Sequence, residues 1–301
     1  MLQKATWLHL RIPFSLFLVP IFLFATSQAE YIKPVNWFLA FVAIHLFLYP
    51  ASNAYNSYFD KDEGSIGGLE KPPPVSKELY WVALFFDFVA VLIAGLVSWQ
   101  FAADLLVYGL VSKAYSHPAI RLKKYPLISL FVVAVFQGFF TYMMSVQAII
   151  HVSWKELWDI KFLYPAILST CLLLGSYPMT QIYQHQEDGE RGDKTFSLLL
   201  GIKGTFIFTA LVFFMANLGF IHYFFYKNAL KELLIFELAL LPVLLFFGFW
   251  WQKVQKDQKQ ANFGNTMLLN KISSLSLILA FILIFLRRFF VSHLSYLISY
   301  V

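Results

Sequence analysis

The sequence predicts an all-α integral membrane protein, a bundle of about nine transmembrane helices with a polar pocket facing the cytoplasm. Three observations predict it. The 301 residues are 59% hydrophobic and 13% charged, whereas soluble domains average about a quarter charged; the mean hydropathy is +0.65. Apolar runs of about twenty residues, the length that crosses a hydrocarbon core, recur along the whole chain. Lys and Arg are distributed unevenly among the segments that connect those runs.

The runs place helices at 10–29, 36–58, 79–99, 102–117, 126–150, 160–185, 203–226, 232–252 and 267–290. The first holds Arg11 and Pro13 ahead of the apolar stretch from Phe14 to Ala25, and "ATSQAE" is a weak cleavage-site match. It is therefore read as a retained helix rather than a signal peptide. The second runs into "NAYNSYFDKDEGSIGGLEKPPP" (53–74), whose glycines and prolines stop it. The fourth is short and carries Asp104 and Lys113. Pro126 marks the start of the fifth. The sixth runs into "QIYQHQEDGERGDKTFSLLLG" (181–201), and charged connections separate the last three. The single cysteine, Cys171, lies in an apolar run and excludes a disulfide framework. The whole chain, 1–301, reads as one multi-span membrane domain.

With nine spans, the N-terminus and the connections after helices two, four, six and eight share one side. That side holds sixteen of the 23 Lys and Arg residues, from Lys4 and Arg11 to Lys271. By the positive-inside rule the N-terminus is cytoplasmic and the C-terminus outside, which suits a cell (inner) membrane protein. The net charge of +6 follows from this bias and from attraction to anionic membrane lipid. It gives no reason to expect a nucleic-acid partner.

Two polar patches end helices on the cytoplasmic side. Asn53, Asn56 and Asp60 are three and four residues apart and share a helix face, and Gln181, Gln184 and Asp188 repeat the spacing. Polar side chains near membrane depth are costly unless they face a protein cavity. Hard oxygen ligands at two helix ends suit Mg²⁺, which bridges carboxylate to substrate phosphate. Between them, in "YSHPAIRLKKYP" (115–126), Arg121, Lys123 and Lys124 suit phosphate oxygens.

These segments resemble the UbiA-type intramembrane prenyltransferases, a superfamily of nine-helix enzymes with two Asp-rich motifs at cytoplasmic helix ends and a lateral opening to lipid. The first family motif reads N-D-x-x-D-x-x-x-D followed by a basic residue and proline. Asn56, Asp60 and Lys71-Pro72 match it, while Ser57 and Gly64 replace two aspartates. Tyr115, Ser116, Pro118, Arg121, Leu122 and Lys123 match a second segment. Asp188, Gly192, Thr195 and Gly201 match a third, with Gln184 and Gln181 in place of acids.

The resemblance implies transfer of an isoprenoid chain from a prenyl diphosphate to a lipophilic, aromatic acceptor, assisted by Mg²⁺. It implies Asp60 and Asp188 as metal ligands and, with Asn56, as the catalytic set. Arg121, Lys123, Lys71, Lys194, Gln184 and Tyr115 would contact substrate. Asp62, Glu63, Glu187 and Glu190 stand near enough in sequence to replace the missing acids. Tyr55, Tyr58, Tyr142 and Tyr183 offer π-faces for a carbocation, and His117 and His185 flank the motifs. Three alternatives stay open on the residues: a lipid- or quinone-binding protein that keeps the fold without the chemistry, a transferase using another phosphorylated donor, and a small-molecule transporter.

Overall fold

The computed structural model describes residues 2–298, with side chains for residues 2–190 and 192–291. Nine helices follow one another: α1, Lys4–Gln28; α2, Pro34–Asp60; α3, Glu78–Val97; α4, Trp99–Ser116; α5, Pro126–Ile150; α6, Ile160–Glu190; α7, Phe196–Tyr226; α8, Leu230–Lys256; and α9, Phe263–Val291. All but α4 are long and apolar enough to cross a membrane. The described residues contain no strand, and the single antiparallel bridge, Ile66 with Leu69, folds a hairpin in the loop after α2.

Helix α4 is less apolar because it carries charge, and its charges are partnered. Ser98 is extended and caps the helix by accepting from the Phe101 N–H at 3.1 Å, so α3 and α4 turn with almost no loop. Asp104 accepts from Trp154 Nε1 at 3.1 Å. Lys113 pairs with Asp87 of α3 and lies 4.9 Å from the centre of the Tyr55 ring. Charge at membrane depth faces protein, as the desolvation penalty requires.

Five helices depart from α geometry, α7 at Gly201 and four others as follows. Helix α1 is broken at Arg11, which takes a left-handed φ of 47°. Helix α2 widens into a π turn over Val42–Leu48, just before Pro50, whose missing N–H breaks the regular ladder. Helix α5 does the same over Val135–Phe140. Helix α6 tightens to a 3₁₀ turn over Tyr177–Gln184 with Pro178 in its first turn, then continues as His185–Arg191. The helix thus reaches beyond the expected end at 185, and α7 begins before the expected 203. The α6 extension is polar sequence held against other protein segments, which hydropathy alone does not register; the α7 extension is the apolar turn before the bend at Gly201.

Away from the polar patches, an aromatic column fills the bundle. Phe24 of α1 stacks on Phe281 of α9 at 4.7 Å and meets Tyr142 of α5 and Phe220 of α7 at 5.4 Å. At that end of the bundle, Glu232 of α8 pairs with Arg287 of α9. Arg288 reaches the Ser27 carbonyl at 2.9 Å and Gln28 Oε1 at 3.1 Å, and the Tyr223 hydroxyl donates to the same Gln28 oxygen. This network ties α1, α7, α8 and α9 together on the face opposite the polar patches.

Candidate functional site

Three loops and the N-terminal turn of α1 meet at the other face. Helix α2 ends at Lys61, whose left-handed φ of 50° turns the chain out of the helix. The following loop is then held from two sides. Glu187 Oε1 accepts from the N–H groups of Glu63 and Gly64, both at 3.3 Å, and Gln184 Nε2 donates to the Ser65 carbonyl at 3.0 Å. From α1, Arg11 donates to the carbonyls of Gly67 and Asn53 at 3.2 and 3.1 Å, and His9 Nε2 lies 2.7 Å from the Pro73 carbonyl. The loop after α4 closes the ring. Arg121 donates to Asp193 at 2.9 Å, Lys123 pairs with Asp60, and Ser116 donates to Asn56 Oδ1 at 2.7 Å.

Beneath this ring lies a cavity of about 750 Å³ that runs into the bundle. Helix α2 contributes Tyr49, Ser52, Asn53, Asn56 and Asp60, a stripe at helical spacing. Gln181, Gln184 and Asp188 come from the end of α6. The 3₁₀ turn, with three residues per turn, keeps Gln181 and Gln184 on one edge. The two patches therefore form opposite walls of one space. Its polar end also holds Asp62, Asp193, Arg11 and Lys123; its deeper walls are apolar and aromatic, with Phe136, Phe213, Phe220 and Phe236 among them.

The segment between α6 and α7 shows why its sequence pattern takes the form it does. Gly192 ends the last turn of α6 with φ 72°, a conformation that glycine adopts without a Cβ penalty. Thr195 caps α7 by accepting from the Leu198 N–H at 3.4 Å, and its hydroxyl donates to Asp188 Oδ2 at 3.2 Å. Gly201, with φ 66° and ψ 172°, bends α7 after its first turn. The Ser197 N–H, in the first turn of α7 and so without an intrahelical acceptor, donates to Gln181 Oε1 at 3.2 Å, and Ser197 Oγ sits 2.7 Å from His185 Nε2. The capping threonine thus also holds Asp188.

Four carboxylates, Asp60, Asp62, Asp188 and Asp193, face the polar end against two lining cations, Arg11 and Lys123. Asp62 lies close enough to Asp60 and to Asp188 for its charge to act on both. The excess of hard anionic oxygen fits a divalent cation such as Mg²⁺. Among the described residues no three His, Cys, Asp or Glu side chains form a ready-made cage. Mg²⁺ does not demand one, since it is commonly held by one or two carboxylates, waters and substrate phosphate.

Of the residues singled out by sequence, the structure brings Asn56, Asp60, Asp188, Gln184, Tyr115 and Lys123 to the cavity wall. Arg121 stands just behind it on Asp193. Lys71 and Lys194 are exposed and do not reach the wall; Lys71 leads into three successive prolines that hold the loop extended. Of the neighbouring acids, Asp62 lines the cavity, Glu187 ties the loop, and Glu63 and Glu190 are exposed. Tyr183 faces the cavity, whereas Tyr55 and Tyr58 pack against Tyr80 and Tyr142 lies in the aromatic column. His117 packs edge-on against Phe59.

Sequence reasoning passed over Arg11, Asp193, Tyr108 and Tyr177, all of which line the cavity. Arg11 is 8% exposed and its Nε has no partner. Pro13, two residues on, was the available signal of a break, but a basic residue at a helix start reads first as a topology charge. Tyr115, Ser129 and Tyr177 close a triangle of hydroxyls at 2.6–3.0 Å.

The family model for the UbiA prenyltransferase family matches residues 16–275. The chain belongs to the UbiA prenyltransferase family. Comparison with curated proteins finds no match. Among solved structures, a UbiA homologue from Archaeoglobus fulgidus bound to GPP and Mg²⁺ is 15% identical, with a TM-score of 0.67 over 94% of this chain and 99% of that one. The same homologue bound to DMAPP and Mg²⁺ gives 14% and 0.68 over the same shares. Its Cd²⁺-bound form gives 15% and 0.65 over 93% and 99%. At these identities the likeness is one of fold, and the UbiA bundle of about nine membrane helices is what the chain adopts.

Proposed function

We propose that this multi-pass membrane protein transfers an isoprenoid chain from a prenyl diphosphate to a lipophilic, aromatic acceptor, assisted by Mg²⁺. One observation carries the reading. Four aspartates and two cations converge at the polar end of a cavity whose remaining walls are apolar and aromatic, a shape suited to an anionic head on a greasy tail. Family membership and the prenyl diphosphates held by the A. fulgidus homologue support it. The whole chain, 1–301, then works as one membrane domain, with the site on the cytoplasmic side of a cell membrane.

Asp60 and Asp188 would hold the metal with Asp62 beside them, and Asn56 and Gln184 would add neutral oxygens. Bound Mg²⁺ supplies positive charge that stabilises the departing diphosphate. Arg11 and Lys123 hold phosphate oxygens, with Arg121 behind them. Arg11 is suited to this because its guanidinium is already desolvated and held by backbone carbonyls, so it needs little reordering. The bond from the allylic carbon to oxygen breaks and its electrons leave with the diphosphate. The aromatic acceptor supplies the new bonding pair and loses a proton, which the released diphosphate takes up. The rings of Tyr108, Tyr115, Tyr177 and Tyr183 line the space where positive charge develops, and the apolar wall keeps water from it.

The test is binding of geranyl, farnesyl and geranylgeranyl diphosphates to detergent-purified protein, with Mg²⁺ and with chelator. Wild type should bind tightly and only with metal, and Asp60→Asn combined with Asp188→Asn should lose at least a hundredfold. Weak binding that ignores both metal and the two aspartates would sink the proposal.

A further inference from the structure

Ser129 is an isolated hydroxyl in the apolar opening of α5, "PLISLFVVA". It is 1% exposed and does not reach the cavity. Its Oγ lies 3.0 Å from the Tyr115 hydroxyl of α4 and 2.7 Å from the Tyr177 hydroxyl of α6, and those two oxygens are 2.6 Å apart. Each corner of this triangle can donate one proton and accept another, so the three hydroxyls use all their protons on one another. The closed arrangement also reinforces itself, since each bond polarises the next.

Its place in the fold gives the triangle a consequence for the site. Tyr115 and Tyr177 line the cavity, whereas Ser129, on which their oxygens converge, stands behind the wall. The two phenols therefore turn their hydroxyls away and present ring carbon. Both stand at the inner edge of the polar end. Ser116, next to Tyr115, donates to Asn56 Oδ1 at 2.7 Å, and Tyr177 opens the 3₁₀ turn that carries Gln181 and Gln184. The carbon attached to a diphosphate held by Asp60 and Asp188 would lie there. Other hydroxyls of the wall are also spent on protein: Tyr49 bonds to Thr141 at 2.9 Å, Ser52 donates to the Leu48 carbonyl at 3.0 Å, and Thr180 donates to the Tyr177 carbonyl at 2.7 Å.

A phenol hydroxyl without a partner at this point would hold a water beside the allylic cation. The bond from the allylic carbon to the diphosphate oxygen breaks and its electrons leave with the diphosphate. A lone pair of that water then forms the new carbon–oxygen bond, and the proton it sheds passes to the diphosphate. The donor is lost as a prenyl alcohol.

We infer that Ser129 is a positioning residue that seals the site against water. It holds the Tyr115 and Tyr177 hydroxyls behind the wall, so that the cation meets only the π-faces of the two rings. Ser129 acts through the tyrosines and not on the substrate.

The inference rests on the prenyl-transfer reading, and its test needs no acceptor. Full-length protein in detergent is given geranyl diphosphate and Mg²⁺ in ¹⁸O-labelled water, and labelled alcohol is measured. Label enters the alcohol only when the carbon–oxygen bond breaks, which separates cation capture from cleavage at phosphorus. Ser129→Val and Ser129→Thr have nearly the same shape and differ in the hydroxyl. With valine the two tyrosines can share only one hydrogen bond, and the second proton turns to the cavity. Ser129→Val should release labelled alcohol about tenfold faster than wild type, the kinetic worth of one hydrogen bond, while Mg²⁺-dependent geranyl diphosphate binding changes less than about twofold. Ser129→Thr should keep the wild-type rate. Adding Tyr115→Phe and Tyr177→Phe to Ser129→Val removes the stray hydroxyl and should bring the rate back down, whereas a packing fault would not be cured by deleting two further groups. Should valine prevent folding, Ser129→Ala opens the triangle without added bulk. Retained binding with no rise in labelled alcohol, a threonine variant that leaks as much as valine, or a triple variant that still leaks overturns this inference alone. Absence of Mg²⁺-dependent binding by wild type fells the prenyl-transfer reading itself, and the seal with it.

Discussion

Ser57 and Gly64 occupy positions where the family motif has aspartates, and the structure gives each a physical reason. Ser57 is one residue off the cavity stripe of α2. It is 2% exposed, and its hydroxyl has no partner. Gly64 lies against the Glu187 carboxylate, so a Cβ there would collide with it. Restoring the motif should therefore fail. Ser57→Asp places an unpaired charge in a dry position, which costs several kcal/mol, and should lower the unfolding midpoint without strengthening diphosphate binding. Asp62→Asn, by contrast, should weaken Mg²⁺-dependent donor binding about tenfold, while Glu63→Gln changes it less than twofold. Titrations of the three variants decide the matter: tighter binding by Ser57→Asp, or equal effects at 62 and 63, would contradict the geometry. The same residues show what was legible. Periodicity identified Asn56, Asp60, Gln184 and Asp188, because those side chains project from helices whose phase the sequence sets. Asp62, Asp193 and Arg11 lie in a loop, after a helix cap and at a helix break, where direction depends on neighbours far along the chain.

Helix boundaries and irregularities follow the same division. Nine apolar runs gave nine helices, including the charged α4, because burying about twenty apolar residues dominates everything local. Pro50 and Pro178 mark the irregular stretches of α2 and α6 without saying which geometry results, and the π turn of α5 answers to packing. Gly138 shows how. It sits in the π turn of α5, where an added Cβ would lie 2.6 Å from Thr170 Cα and 2.8 Å from the Ser169 carbonyl oxygen of α6. Both neighbours are backbone and cannot swing aside. Gly138→Ala should push α5 from α6 and destabilise the bundle by about 1–3 kcal/mol. Gly95 of α3 supplies the control, because nothing lies within 4 Å of its added Cβ. There alanine should be neutral or add up to about 1 kcal/mol through helix propensity. Thermal unfolding of the two variants in one detergent should therefore move in different directions, and a common shift would remove the packing explanation for the π turn.

The bundle as a whole has two unlike ends, and they predict its orientation. One end gathers the loops after α2, α4 and α6 with most of the basic residues, and closes over the aspartates. The other is tied by Glu232, Arg287, Arg288 and Gln28, so its two arginines are spent on protein partners rather than left to face anionic lipid. That internal pairing sharpens the charge asymmetry beyond what counting residues conveys, and by the positive-inside rule it predicts that the site face is cytoplasmic. On the prenyl-transfer reading, a diphosphate head and a lipid-soluble acceptor would then meet in one cavity. Residues 299–301 lie outside the described residues, so the orientation is best read from loops. In a Cys171→Ser background, cysteines at the exposed Lys71 and Lys259 should label together with a membrane-impermeant maleimide in inside-out vesicles. A cysteine at Lys155, between α5 and α6, should label in right-side-out vesicles instead. Labelling of Lys71 and Lys155 positions from one side would break the nine-helix alternation. The reversed pattern would keep the fold but move the aspartate-lined site to the outer face, where the cytoplasmic diphosphate pool could not supply it.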